Sequence, residues 1–233
     1  MDPRHLPIDQ RFTGFCVFCG DEPGTQDHVP SKIFIDDPTP KNLPTVEACL
    51  KCNNGFSLDE EYFGCFLESV ICGTVDVEKV SREKIRKIYN RKPDLAARIL
   101  SSQSIDLFGQ IAWEPEEERI GRIVTKLARG HVAYELSLPQ MDEPDTVSFF
   151  PLPLLNEKQR DAFENISYAE LAIWPEFGSR AFHRILGVEP FGNEPGPWIV
   201  VQGGRYRYSV IQDGGVKVRI VLSEYLACEI IWD

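Results

Sequence analysis

The chain has 233 residues, 42% apolar and 26% charged, enough for a sizeable core and close to the averages of globular proteins, which excludes wholesale disorder and fibrous repeats. A net charge of −11 and a pI near 4.9 exclude a protein that coats nucleic acid without selectivity, because neutralising phosphates takes clustered Lys and Arg. The start, Met1-Asp2-Pro3-Arg4-His5, carries no basic-then-apolar leader, and no apolar run approaches the roughly 20 residues of a membrane span, so a cytoplasmic chain with no membrane contact is expected.

From Phe12 to about Gly73 the sequence is punctuated by Cys, Gly, Pro and Asn, and its one long periodic stretch comes at the end. Ser57 and Glu60 fit a capping box, Asp59, Glu60 and Glu61 suit the positive end of a helix dipole, and Gly73 suits a C-terminal cap, so a helix is expected from Ser57 to Cys72. Its Tyr62, Phe63, Phe66, Leu67, Val70 and Ile71 recur at helical spacing and read as core. Short helices follow over Ser81–Asn90 and from Pro93 to Leu100. Here Lys79, Arg82, Lys84, Arg86, Lys87, Arg91, Lys92 and Arg98 meet only Glu83 and Asp94, a basic run that is either a solvated helical face or a phosphate contact, with Arg86 and Lys87 as its candidate substrate-binding pair.

Residues 116–135 give a third helix, with Ile120, Ile123, Val124, Leu127 and Ala128 on one side and Arg119, Arg122, Lys126 and Arg129 lining a neighbouring face as a salt-bridged surface. Beyond Pro139 short apolar or alternating runs replace helical periodicity: 147–150, 171–174, 198–202, 206–212 and 216–222, with Asp213-Gly214-Gly215 as a hairpin turn. An antiparallel β-rich region over 139–233 is expected.

Seven cysteines in a reducing compartment read as metal ligands rather than disulfides where the spacing fits. Cys16-Val17-Phe18-Cys19 and Cys49-Leu50-Lys51-Cys52 are C-x2-C knuckles about 29 residues apart, and four thiolates complete the tetrahedral shell of a structural Zn²⁺ with no open position for substrate. Cys65, Cys72 and Cys228 remain and read as small core residues.

Between and after the knuckles stand Asp27-His28-Val29-Pro30, Asn42-Leu43 and Asn53-Asn54. This order resembles the HNH endonuclease family over residues 12–66, in which a ββα-metal core is often braced by such knuckles. The resemblance implies that His28 is the general base toward an attacking water, as suits an imidazole near neutral pH. It implies that Asn42 fixes the loop bearing that histidine, and that Asp27 and Asn53 hold a catalytic Mg²⁺ or Mn²⁺, with Asn53 standing where the family has His or Asn. Lys32 and Lys51, close to the motif, are placed to touch phosphate, Lys32 being the candidate substrate-binding residue.

The expected fold class is therefore α+β: a zinc-stapled, treble-clef-like ββα-metal module over 1–75, a helical region with the basic run over 76–138, and the β-rich region over 139–233. The expected activity is metal-dependent hydrolysis of phosphodiester bonds in nucleic acid, DNA ahead of RNA, with a role in bacterial defence or mobile elements suggested by analogy alone and a protein partner or homo-oligomer left open. Residues 1–75 work against this, since Arg4, Arg11, Lys32, Lys41 and Lys51 face about a dozen acids. That charge favours the alternative, a noncatalytic zinc-stabilised adaptor that binds protein or RNA.

Overall fold

The computed structural model describes residues 14–41, 43–105, 109, 111–166, 179–181, 198–212 and 214–233. Asn42, the expected strand at 171–174 and Asp213 of the expected turn lie outside them. The fold is α+β. Among the described residues two small hairpins, five α-helices and one five-stranded antiparallel sheet follow one another, and no helix is long and apolar enough to cross a membrane.

The chain packs as two compact units, Met1–Gly55 with Val124–Asp233, and Phe56–Ile123. The dividing points fall inside α1 (Leu50–Cys72) and α4 (Glu117–Leu136).

In the first unit, strands β1 (Thr25–His28) and β2 (Thr45–Ala48) pair antiparallel with Thr25 opposite Ala48 and His28 opposite Thr45, and α1 follows at once. This is the ββα order. Contrary to the expected start at Ser57, α1 begins seven residues earlier, inside the second knuckle. The physical reason is a sulfur cap: the Cys52 N–H donates to Cys49 Sγ over 3.4 Å, taking the role of a capping oxygen on the third helical N–H. The far end is as expected. Gly73 adopts φ +68°, and N–H groups of Gly73 and Thr74 return to the carbonyls of Val70 and Ser69, a Schellman cap.

The large sheet runs β5 (Thr146–Pro151), β9 (Leu226–Trp232), β8 (Val216–Leu222), β7 (Tyr206–Gln212), β6 (Ile199–Gln202). Register sets Tyr208, Ile220 and Cys228 abreast, and Val210, Val218 and Ile230 beside them, all buried on one face, as strand alternation requires. The other face covers a smaller cluster of Leu152, Phe163, Val221 and Ala227. Phe163 comes from α5 (Glu157–Glu164), whose start is fixed by a capping box between Asn156 and Gln159. Residues 124–136 of α4 meet the sheet's first face, where the fully buried His131 bonds Tyr206 Oη at 2.7 Å and stacks on Tyr208, and Glu135 accepts from Tyr208.

The second unit comprises the rest of α1, α2 (Glu83–Arg91), α3 (Pro93–Ser101), the hairpin β3 (Gln103–Ile105) with β4 (Ile111–Trp113), and the start of α4. Tyr62, Phe63, Phe66 and Leu67 are buried as their spacing predicts, whereas Ile71 is exposed. The phenol of Tyr89 bonds Ser69 Oγ and the carbonyl of Cys65, tying α2 to α1.

Candidate metal centre and active site

The two knuckles converge. One ligand atom from each of Cys16, Cys19, Cys49 and Cys52 lies within 4.8 Å of every other, and Cys19 Sγ is 3.7 Å from Cys49 Sγ. A tetrahedral zinc with bonds of about 2.3 Å sets sulfurs about 3.8 Å apart, so the cluster fits a structural zinc ion. The hairpin brings the knuckles together: the first loop is pinned to β2 by Val17 N–H on the Glu47 carbonyl and Gly14 N–H on the Glu47 carboxylate, while the second is the first turn of α1. The Cys49 thiol is lowered to about 7, chiefly by the backbone N–H of Cys52 and then by the neighbouring thiols. Of the other cysteines, Cys65 and Cys228 are buried.

His28 closes β1 and is half-buried. Burial, together with the positive charges of Lys32 and Lys126, holds its imidazole below the ordinary 6.5 against the opposing pull of Asp27. At pH 7 the ring is therefore neutral and able to accept a proton. Lys32 follows in a short 3-10 turn and is exposed. The turn after His28 is held from three sides. Val29 N–H bonds the Pro44 carbonyl, Asp36 exchanges hydrogen bonds with Gln202 and forms an ion pair with Arg205 at 2.5 Å, and α4 presses on Val29 at Gly130. A Cβ built on Gly130 would stand 2.7 Å from a Val29 methyl, so that close approach needs glycine.

Asp27 is 7% exposed, and its carboxylate is 2.8 Å from the ammonium of Lys126, which also donates to Ser31 Oγ at 2.8 Å. Lys126 is itself 2% exposed and lies 5.9 Å from the ring centre of Phe18, in the first knuckle. Asn53, in the first turn of α1, donates its amide to Thr25 Oγ, which in turn donates to the Ala48 carbonyl. Thr25 and Asp27 leave β1 on one face and His28 on the other. A divalent cation needs open oxygen ligands. One Asp27 oxygen, Oδ2, is already held by an ammonium of the chain itself, and Asn53 is tied to the hairpin through its amide nitrogen, so Asp27 as placed has a cation other than a divalent metal beside it.

Helical spacing groups Lys126 with Arg119, Arg122 and Arg129 as a surface stripe, and three of the four conform. Arg119 and Arg122 pair with Asp59 at 2.6 and 2.7 Å, and Arg129 reaches Glu143. Lys126 departs from them because it stands one turn before Gly130, where α4 approaches the β1 turn closely. The signal available in sequence was its place beside Val124, Leu127 and Ala128 in the apolar stripe.

Four of the eight cations of the basic run pair with acids that are distant in sequence or one turn away. Lys92 pairs with Glu61, Arg98 with Glu116, Lys87 with Glu83 and Lys79 with Asp76, while Arg82 is buried. Arg86 is half-buried on α2 beside the exposed Lys87. Compared with protein-family models, with curated proteins and with solved structures, the chain matches none.

Proposed function

We propose that this chain is a phosphodiester hydrolase acting on nucleic acid, with a structural zinc on Cys16, Cys19, Cys49 and Cys52 and with His28 as the general base. The observation that carries the reading is His28 itself: a neutral, half-buried imidazole at the end of a strand in a ββα unit whose hairpin is framed by four clustered cysteines. Zinc, when bound, supplies folding free energy to a hairpin too small to hold itself. The imidazole takes a proton from a water as that water attacks phosphorus, the bond from phosphorus to the departing sugar oxygen breaks and that oxygen takes its proton from solvent, and Lys32, whose charge already acts on the ring, meets the charge of the phosphate oxygens.

The test is plasmid and RNA cleavage by zinc-loaded protein, compared with His28→Ala. Loss of roughly 10²- to 10⁴-fold in rate with unchanged zinc content and substrate affinity is the expected result. The second reading, a zinc-stabilised adaptor, is favoured by the internal pairing of the basic run and by the acidity of the module. It prevails if the folded, zinc-loaded parent cuts nothing across substrates and conditions.

A further inference from the structure

The family resemblance implies a cation on Asp27, and the fold puts a lysine there. A buried ammonium and a buried carboxylate each carry a large desolvation penalty, so neither is tolerated without the other. Here they meet as an ion pair at 2.8 Å, and the ammonium donates a hydrogen bond to Ser31 Oγ. The lysine is delivered by α4, a different part of the chain from the motif, and its position is fixed one turn later by the close approach of Gly130 to Val29. The ammonium thus touches Asp27 before His28 and Ser31 after it, bracketing the residues that carry the candidate base.

We propose that Lys126 is the built-in cation of this site: it occupies the place on Asp27 that a divalent metal would take, and it fixes the end of β1 that presents His28. The native site then takes no Mg²⁺ or Mn²⁺ on Asp27, and chemistry at His28 draws on no divalent cation held there. Lys126 is a positioning residue in this account, acting through Asp27 and Ser31.

The inference concerns the site of the hydrolase reading, but its readout is metal binding, so the two can fail separately: a chain that cuts nothing leaves it standing. The experiment titrates Mn²⁺ into full-length, zinc-loaded protein and follows the unbound ion by electron paramagnetic resonance. The wild type is expected to take up no Mn²⁺ that Asp27→Asn removes. Lys126→Met should fall in Tm by roughly 6–20 °C, because it strands a buried carboxylate. It should also gain one Mn²⁺ per chain, with affinity at least about tenfold above the wild type, an increment of about 1.4 kcal/mol. Asp27→Asn with Lys126→Met should lose that ion and regain Tm relative to Lys126→Met.

Mn²⁺ uptake by the wild type that depends on Asp27 overturns the proposal, as does a Lys126→Met protein that folds and gains no ion. Should Lys126→Met not fold, the wild-type comparison with Asp27→Asn decides alone: uptake that depends on Asp27 overturns the proposal, and its absence supports it.

Discussion

In the β1–β2 hairpin Val46 and Ala48 are the apolar side chains that reach the core, and the strands are four residues long. In β7, β8 and β9, by contrast, Tyr206, Tyr208, Val218, Ile220, Cys228 and Ile230 are almost wholly buried along seven-residue strands. Both are antiparallel and both have a defined register. The hairpin buries too little apolar surface to offset the conformational entropy of ordering it, so its geometry must come from ligands and clamps at its ends. The sheet carries its own hydrophobic stabilisation at about 25 cal/mol per Å² buried.

This contrast is broken most forcefully by emptying the proposed zinc site on the four cysteines. Cys49→Ser, or a strong chelator, should melt the hairpin and the first turn of α1 while the five-stranded sheet persists, since a structural zinc contributes an apparent 10–16 kcal/mol or so at neutral pH. Amide exchange resolved by segment reads it: fast over 25–28 and 45–54, protected over 216–232. Simultaneous loss of protection in both would show that the sheet, too, hangs on the metal.

A smaller effect sharpens the opposite side. Ile220→Ala should cost about 2–5 kcal/mol of stability through a cavity on the buried face, with zinc content unchanged. Denaturant melts alongside metal analysis distinguish this from a general loss of fold. Next comes Gly130→Ala, which drives a methyl into Val29 and should cost about 1–3 kcal/mol while disturbing the turn after His28 more than the sheet. Chemical-shift changes centred on Val29 and Ser31 are the expected signature.

The smallest effect is on pH dependence. His131 is fully buried against Tyr206 and Tyr208, and desolvation first, then the charge of Lys126, holds it well below 6.5. The unfolded chain therefore binds more protons as pH falls through the range beneath 6.5. Stability is complete above that value and is lost below it, at no more than about 1.4 kcal/mol per pH unit from this group. Comparing Tm at pH 7.5 and 5.5 for wild type and His131→Gln checks this. A steeper acid loss in the variant would reverse the assignment.

The same contrast explains what could be read in advance. The helix over 57–72, the strands at 206–212 and 216–222 and the convergence of four cysteines follow from local signals that the fold does not override: periodicity, alternation and knuckle spacing. The seven residues of α1 before Ser57 were hidden because the cap is a sulfur, outside the usual set of Ser, Thr, Asp and Asn. Strand β9 was hidden for another reason. Leu226-Ala227-Cys228-Glu229-Ile230-Ile231-Trp232 alternates poorly, since Ala227 packs into the smaller cluster on the second face. For Lys126 the place in the apolar stripe signals burial but not the partner. Its partner lies 99 positions earlier in the numbering, and only the folded chain brings them together.

One stretch of α4 ends up serving two masters. Within ten residues it gives Lys126 to Asp27, Gly130 to Val29, His131 to Tyr206 and Glu135 to Tyr208. The motif-bearing segment therefore cannot be treated as an interchangeable cassette. A graft of residues 1–75 onto a foreign host would carry every motif residue yet leave behind the ammonium beneath Asp27 and the ceiling over Val29, and recombination that exchanges this module between proteins would have to bring α4 along.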